Sequence, residues 1–560
     1  MNLANLGKAG LLVAQNRLQT AGHNINNSAT EGYNRQRVMV QTAGAAQTPA
    51  GWVGRGVQAV SVQRAYDSFL YSQLSESQTK GAALASYGDQ ISQVNNLLAD
   101  RSVGITPAIQ AFFDGLQAVA TAPADSAARQ ELLGRANSLA TQIRDANAFF
   151  DDQRANINTQ VRTTVTQVNS TLDRIQDLNR QISVAKAVSP GQPPNDLLDQ
   201  RDQLVAELGQ LVDIKVFEQD DRVNITVANG QVLLGGDSVF HLGVQASASD
   251  PSRLAVSYSI PNGVGGITAV ELKDSSITGG TLGGLLSFRR EALDTMQNDL
   301  GRLATGLAMA FNEVHRQGYD LTGAPGGDFF SLAGPKVIRG EGNAAGADPA
   351  VSITDINQLT AQDYQVSYDG AGYVVTRLSD GTVAAAGNGT LSFDGIEVDF
   401  SGVAAAAPGD SWLIQPTRDA AASLQVAIGD PGRIAAAGPV DHDDDPATPD
   451  VGAGPANGDN ALKLAALQTT KLLGNGAMSL NEAYSQIVNK VGVLTQQNTT
   501  AQKAQDTLIQ QNYAAQQAVS GVNLNEEYMN LTQYQEQFRA ASRLIDVSST
   551  LFDTLLSLRS

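Results

Sequence analysis

Near its end, the chain reads NLNEEYMNLTQYQEQFRAASRLIDVSSTLFDTLLSL over residues 523–558. Apolar or small residues recur in this stretch at steps of three and four, the period of a helix that packs along another helix. The stripe consists of Leu524, Tyr528, Leu531, Tyr534, Phe538, Ala541, Ile545, Ser548, Phe552 and Leu555. Asn523 can cap this helix, and Glu526 stands three residues later, as in a capping box. The stretch therefore predicts one long C-terminal helix with a narrow apolar face.

The opposite end of the chain carries a matching stripe with the same steps. Its members are Ala4, Gly7, Leu11, Ala14, Leu18, Ala21 and Ile25. An isolated amphipathic helix cannot bury its stripe and has little stability alone. We therefore expect the two terminal helices to pack on each other or on neighbouring subunits. The residues assigned to this assembly interface are Leu11, Leu18, Ile25, Leu531, Phe538, Ile545, Phe552 and Leu555.

Two internal stretches repeat the spacing of three and four. The first consists of Ile157, Val161, Val165, Val168, Leu172, Ile175, Leu178, Ile182 and Ala185. A helix of that length exceeds ordinary globular lengths and favours a coiled coil. The second consists of Tyr484, Ile487, Val491, Leu494, Asn498, Ala501, Leu508, Ala515 and Val519. Both stretches predict core helices.

Other segments show the alternation and the turns of strands. Val223, Ile225 and Val227 alternate with polar residues, and Asp369-Gly370 is one of several hairpin turn signals between 320 and 455. The predicted fold class is mostly α with β insertions: a terminal α-helical coiled coil, a long helical-bundle core and one or two β-rich central inserted domains. The predicted segments are 1–66, an N-terminal axial helix with a short β segment; 67–211, a long-helix core; 212–280, a small β-rich segment; 281–319, a core helix; 320–457, the β-rich acidic insertion; 458–519, a core helix; and 520–560, the C-terminal axial helix.

Composition excludes several classes of protein. The 560 residues contain no cysteine, which rules out disulfides, thiol catalysis and cysteine-ligated metals. The net charge of −19 is concentrated in residues 320–460, with 20 acidic and 5 basic residues, and argues against nucleic acid. The sequence has no run of about 18 apolar residues, so we expect no membrane-spanning helix. Because Gln15 interrupts the short apolar run at Leu11, we expect no cleavable signal peptide and therefore another export route.

The N-terminal segment resembles the rod, hook and junction family of flagellar axial proteins. The matching residues there are Asn24-Ile25-Asn26-Asn27, Gly32-Tyr33, Arg35-Gln36, Gly56-Val57 and Arg64-x-Tyr66-Asp67-x-Phe69-Leu70. Glu31 stands where the family often has Pro. Further blocks that resemble the junction proteins lie at 194–202, 283–286, 318–330, 458–461 and 520–527. The family-motif residues singled out are Asn26, Gly32, Tyr33, Asp196, Asp199, Arg201 and Asp202.

The resemblance implies a non-enzymatic structural subunit at the junction of hook and filament. It implies export, unfolded, through the flagellar type III apparatus, and assembly as a thin ring whose terminal helices line the channel. The implied partners are other copies of the chain, hook protein, a second junction protein on the filament side, and a cytoplasmic export chaperone at the C-terminal helix. Nucleic acid and membrane are not expected as partners.

A search for chemistry assigns no catalytic, cofactor-binding or metal-binding residue. His23, His241, His315 and His442 are far apart in sequence, and His315 lies in a periodic helix where a structural role is expected. The run 441–445 lacks the Gly and Glu that a calcium loop needs, because Pro446 and Gly452 stand there. Asp199, Arg201 and Asp202 can form a salt-bridge cluster that serves packing and register.

Two other classes of function stay open at the level of sequence. The chain is compatible with a secreted adhesin whose central domain binds a surface while the helices form a stalk. It is also compatible with an enzyme, such as a peptidoglycan hydrolase, that would need a carboxylate pair within 320–455. Another flagellar axial protein, of the hook or flagellin type, is a further alternative to the junction protein.

Overall fold

The structure, a computed structural model, describes residues 3–49, 51–98, 104–219, 222–227, 229–261, 267–440 and 450–558. The acidic run 441–445, with His442, lies outside the described residues. The helices are α1 (Leu3–Asn26), α2 (Ser68–Leu98), α3 (Ile105–Thr121), α4 (Ser126–Val188), α5 (Asn195–Leu211), α6 (Gly280–Phe288), α7 (Asp294–Arg316), α8 (Ala420–Ser423), α9 (Asp459–Ala466), α10 (Leu480–Ser520) and α11 (Leu524–Ser557). A single π-helical turn, Arg289–Leu293, joins α6 to α7.

The strands fall into three groups, and all their pairings are antiparallel. Near the N-terminus lie β1 (Gln36–Thr42), β2 (Ala45–Thr48), β3 (Gly51–Gly54) and β4 (Val57–Arg64). After α5 come β5 (Ile214–Gln219), β6 (Arg222–Val227), β7 (Val232–Gly235), β8 (Ser238–Val239), β9 (Leu242–Ala246), β10 (Leu254–Pro261) and β11 (Ile267–Glu271). After α7 come β12 (Phe330–Ser331), β13 (Lys336–Arg339), β14 (Ala350–Ile353), β15 (Tyr364–Tyr368), β16 (Tyr373–Arg377), β17 (Val383–Gly387), β18 (Thr390–Phe393), β19 (Ile396–Asp399), β20 (Ser411–Gln415), β21 (Gln425–Val426), β22 (Pro439–Val440) and β23 (Val451–Gly452). The fold class expected from the sequence, mostly α with β insertions and long helices at both ends, is confirmed.

The apolar stripe of α4 is buried as expected from Ile157 to Ile182, while Ala185 is only half-buried. This half of α4 packs on α5 and on the strands β6–β10. Three asparagines of α4 fix those strands, since each donates to a strand or turn carbonyl and accepts a backbone N–H. They are Asn158 with Ser252 and Leu254, Asn169 with Leu242, and Asn179 with Val223.

A second hydrophobic core lies inside the insertion and is separate from the helical one. It belongs to the five-stranded sheet β13-β20-β15-β16-β17 and the three-stranded sheet β14-β19-β18. Trp412 is fully buried there, and the Tyr373 and Phe400 rings stack at 3.9 Å. Phe330, Leu424 and Ile434 instead belong to the helical core. The separate β unit is therefore 336–415 rather than the whole of 320–457, because both flanking segments pack back onto the helices.

Polar side chains of α7 and α4 hold the two ends of the insertion together. The His315 Nε2 accepts the Ala435 N–H at 2.9 Å, and Nδ1 donates to the Gly327 carbonyl at 2.7 Å. Burial lowers the pKa of His315, so the imidazole is neutral, and the structural role expected for it fits this geometry. Arg129 donates to the Ile434 carbonyl at 2.8 Å from the other side.

A buried ionic network joins the β unit to the helical core. The Asp294 Oδ1 lies 2.8 Å from Arg154 Nη1 and 3.0 Å from Arg418 Nη1, and Arg418 also bonds to Asp363 of the β unit. Burial alone would raise the pKa of Asp294, but Arg253, Arg418 and Arg154 together hold it well below its ordinary value. The pKa of Asp363 is raised, because burial outweighs its pairing with Arg418.

Two expectations about residues 458–519 are wrong. The segment is not one helix, because the turn Gly474-Asn475-Gly476, with positive φ at all three residues, separates α9 from α10. The second half of the predicted α10 stripe does not face the core either, since Leu508 is 47% exposed. The face toward α2 is polar instead: Gln505 donates to the Ser77 carbonyl at 2.8 Å, and Asn512 to its hydroxyl at 2.7 Å.

Candidate assembly interface

The first and last helices pack against each other in antiparallel orientation. A Cβ placed on Gly7 would lie 2.8 Å from Cγ1 of Ile545, so the backbones approach closely there. Farther along, the Arg17 Nη1 donates to Gln537 at 3.1 Å, and the Asn24 Nδ2 donates to Glu527 at 3.3 Å. The pairing of the two chain ends, left open between self-pairing and neighbouring subunits, thus occurs within one chain.

Most of the residues assigned to the interface are only half-buried in this pair. These are Leu11, Leu18, Ile25, Leu531, Phe538 and Ile545. Phe552 and Leu555 are 61% and 66% exposed. Gly7 faces Ile545, and the described part of α1 begins only about one turn before Gly7, at Leu3. The last turns of α11, up to Ser557, therefore extend beyond the described part of α1. The closest contacts between the helices involve small residues such as Gly7 and Ala541, which were not among the residues assigned to the interface. Both belong to the predicted stripes, so the sequence did contain a signal for the close approach.

The loop after α1 is folded around Asn24. The Asn24 side chain donates to the Gln36 carbonyl at 2.9 Å and accepts the Gln36 N–H at 2.9 Å. The Tyr33 hydroxyl donates to the same Asn24 oxygen at 2.8 Å. Gly32 has φ +78°, which a residue with a side chain rarely adopts. Of the family-motif residues in this loop, Gly32 and Tyr33 therefore shape the turn, whereas Asn26 is exposed.

The start of α5 receives this loop through carboxylates, of which Asp199 and Asp202 are buried and Asp196 is exposed. Asp199 accepts the Asn34 N–H at 3.0 Å and Arg64 Nη1 at 2.9 Å, and Arg64 also reaches Asp202 at 2.7 Å. Burial raises the pKa of Asp199, against the bonds from Asn34 and Arg64. Asp196 binds Gln36 at 2.8 Å and His23 at 3.2 Å.

The expected cluster of Asp199, Arg201 and Asp202 is only partly right. Arg64, from β4, is the cation that bridges Asp199 and Asp202. Arg201 is buried but lies 3.5 Å from Asp202 and 3.6 Å from Glu218. The i,i+3 spacing correctly predicted that Asp199 and Asp202 lie side by side on the helix. It could not predict that their cation comes from β4.

The start of α11 completes the junction. The Arg35 Nε lies 2.7 Å from Glu527 and Nη2 lies 2.6 Å from Glu526, and the Arg35 N–H donates to the Ser520 carbonyl. Burial would lower the pKa of Arg35, but the two glutamates raise it above its ordinary value. Asn523 caps α11 as expected, whereas Glu526 turns to Arg35 instead of completing a capping box. The capping box in the described chain is at Ser479 and Glu482 of α10.

Comparison with known proteins identifies the family. The chain is 38% identical to flagellar hook-associated protein 1 of Salmonella typhimurium, with both chains covered completely. The chain belongs to the flagellar hook-associated protein 1 family. The family members from Escherichia coli K12 and Bacillus subtilis are 36% and 25% identical to it over 98% or more of this chain.

Structure and domain profiles agree with membership in the hook-associated protein 1 family. The flagellar hook junction protein FlgK from Burkholderia pseudomallei matches with a TM-score of 0.73 and 30% identity, over 80% of this chain and all of that one. The profile of the FlgK helical domain matches residues 91–330, and that of the hook-associated protein 1 D2-like domain matches 340–416. A profile of the C-terminal region of the basal body rod proteins FlgEFG matches 510–558. The junction interpretation of the sequence is therefore confirmed over the adhesin alternative and over another axial protein of the hook or flagellin type.

Chemical sites do not emerge from the described residues. Within the ranges that the structure describes, no group of three His, Cys, Asp or Glu side chains is placed to hold a metal ion. Among the same residues, no helix is both long and apolar enough to cross a membrane. The clusters that the fold does build, around Asp199 and Asp294, join elements of the chain to one another.

Proposed function

We propose that this chain is a structural subunit of the bacterial flagellum that joins hook to filament through its paired terminal helices, without catalysis or cofactor. The observation that carries the proposal is the α1–α11 pair. Its seam residues are half-buried, and its C-terminal end is an uncovered apolar stripe. Side chains left half-covered in this way support further packing against neighbouring subunits.

In this proposal, segments 1–66 and 520–560 act together as one axial unit. The Arg35–Glu527 pair and the backbone bond from Arg35 to Ser520 support this view, because they tie the start of α11 to the loop after α1. The β unit 336–415 would face outward, since it has its own core and contains 10 of the 20 acidic residues of the segment 320–460.

The exposed end of α11 is the proposed surface for two successive partners. Its large exposed side chains are Val547, Leu551, Phe552, Leu555, Leu556 and Leu558. An export chaperone would cover them in the cytoplasm. Other copies in the junction ring, hook protein and the second junction protein would cover them in the flagellum. We further propose an extracellular location, reached through the flagellar type III apparatus without a cleaved signal peptide.

Electron microscopy of cells that lack this protein tests the proposed function. We expect hooks without filaments. The complementing variant Ile545→Asp should also fail to restore filaments, because it would place a carboxylate without a partner against Gly7. The exposed Gln535→Glu, which also adds a carboxylate to α11, serves as the matched control and should restore filaments. Normal filaments in the deletion strain would refute the junction role.

A further inference from the structure

A two-stranded ribbon projects from the axial end of the molecule. β1 and β4 form its base, and β2 and β3 continue it, with the Ala43 N–H bonded to Gly56 and the Arg55 N–H bonded to Gly44 between them. The base is anchored, because Asn195 and Gln192 donate to carbonyls of β4 and α1 packs along it. From Gln36 to Thr48, the last residue of β2, the ribbon extends about 40 Å, at roughly 3.3 Å per residue.

The tip of this ribbon is apolar and uncovered. Trp52 is 72% exposed and Val53 is 43% exposed, whereas the other tryptophan of the chain, Trp412, is fully buried. A two-stranded hairpin without a third strand or a packed helix is marginally stable in water at best. We therefore expect another surface to cover the tip.

The ribbon is also basic. Residues 32–66 contain four arginines and no carboxylate. Arg35 and Arg64 already form ion pairs with carboxylates of the same chain. Arg37 and Arg55 are exposed, and among the described residues neither has a carboxylate within ion-pair distance. Arg55 follows β3 directly, three residues after Trp52, at the joint where the outer part of the ribbon meets its base.

A groove with the opposite charge lies at the ribbon's base, between the loop after α1, the end of α4 and α5. It has a volume of about 530 Å³ and is lined in part by the aliphatic side chains of Leu178 and Leu204. Its charged lining residues are Glu31, Asp177, Asp196, Asp199, Glu207 and Arg174, of which Asp199 is buried and already paired with Arg64. The groove thus combines an apolar part with an excess of carboxylates.

We propose that the ribbon tip of one copy docks in the groove of a neighbouring copy, with Trp52 against the apolar part and Arg55 among the carboxylates. The ribbon cannot reach its own groove. Its base is bonded to Asp196 at the groove's edge through Gln36. From there the ribbon runs along α1 towards Leu6, against which Gly56 lies, so its tip is about 40 Å away. The inference rests on the proposed function, because only assembly brings two copies side by side.

Cysteine cross-linking in assembled flagella tests this docking, and the absence of native cysteine makes the result easy to interpret. Gln47 pairs with Trp52 across the ribbon and is exposed, so Gln47→Cys probes the tip with Trp52 intact. Gln181→Cys probes the groove. The matched control is the exposed Thr159→Cys, on the same helix but about 33 Å from Gln181. Cells co-expressing one tip and one helix variant are treated with a short bismaleimide.

We expect a cross-linked dimer from the Gln47→Cys and Gln181→Cys pair and none from the pair with Thr159→Cys. Arg55→Glu should lower the yield about fivefold, the factor that corresponds to about 1 kcal/mol for one exposed ion pair. Glu207→Arg in the partner copy should restore it. Filamented flagella with equal yields from both pairs would overturn the docking and leave the proposed function intact. If Gln47→Cys prevents filament growth, Ala45→Cys, which is also exposed on β2, decides by the same comparison with Trp52 intact.

Discussion

The ion pair between Arg35 and Glu527 offers a direct measure of how firmly α11 is attached to the rest of the chain. The side chains of Arg35 and Glu527 are 7% and 3% exposed, and their atoms lie 2.7 Å apart. Glu527→Gln keeps the shape but removes the charge from a buried pair. Loss of a buried charged partner costs about 3–5 kcal/mol, and because Glu526 remains bonded to Arg35, we expect about 2 kcal/mol, within the range of one hydrogen bond to a charged group.

Amide hydrogen exchange measures this loss of stability locally, in α11 itself. Attachment of α11 is local, so Glu527→Gln should speed exchange in residues 524–545 by roughly 30-fold, the factor equivalent to about 2 kcal/mol, and leave the buried half of α4 unchanged. Glu526→Gln is the matched control: its side chain is 46% exposed, so the change should stay below about 1 kcal/mol. Equal exchange in both variants would refute the view that the buried pair fixes α11.

Three further predictions concern the insertion and its attachment. Excision of 336–415 should leave a folded, exportable protein that still supports filaments, because Lys336 and Gln415 are cross-strand neighbours that a short linker can join; excision of 330–450 should unfold it. The contribution of neutral His315 to stability should be fully present above its unfolded pKa of about 6.5 and be lost as the pH falls toward its lowered folded pKa. Arg418→Met should lower the free energy of unfolding by about 3–5 kcal/mol, because Asp294 and Asp363 each lose a buried cation.

Motility and thermal unfolding check these three outcomes. Equal loss of filaments from the two excisions, with both proteins stable and exported, would contradict the boundary at 336 and 415. For the histidine, the difference in Tm between the native chain and His315→Gln should shrink from pH 7.5 to pH 5, and a constant difference would count against the neutral imidazole. Arg339→Met removes an ion pair at the exposed surface and is the control for Arg418→Met. An equal shift of Tm in both would contradict the role of the buried network.

The sequence predicted the terminal helices because periodicity is a local property. The stripes of α1 and α11 appear in steps of three and four, and Asn523 caps α11 where expected. The partner of Glu526 could not be found in this way. A local capping box was the expectation, but Arg35, 491 residues away, takes the carboxylate.

The face of α10 failed for a related reason. Apolar spacing pointed to Leu508, yet the residues that face α2 are Gln505, Ile509 and Asn512, of which Gln505 and Asn512 donate hydrogen bonds to it. A Cβ on Gly81 would lie 2.7 Å from Ile509, so the close approach of the two backbones depends on a glycine of the other helix. Hydrogen bonds between distant elements decide this face, and hydropathy alone carries no signal for them.

The extent of the insertion was likewise beyond the sequence. Composition changes near 320 and again near 455, which set the predicted boundaries. The structural boundary follows which core each side chain enters, and Phe330 and Leu424 return to the helical core although they lie in the acidic segment. Composition mainly reflects the charge of the surface. That charge stays acidic on both sides of the point where the chain leaves one hydrophobic core and enters the other, so composition cannot locate this point.

An image of the assembled hook–filament junction at side-chain resolution would test the central claim most directly. We expect the α1–α11 pair in the inner wall of the channel, with Phe552 and Leu555 covered by neighbouring subunits and the β unit 336–415 on the outer surface. An image in which the terminal helices lie on the outside, or in which the stripe of α11 remains exposed in a complete junction, would contradict the account.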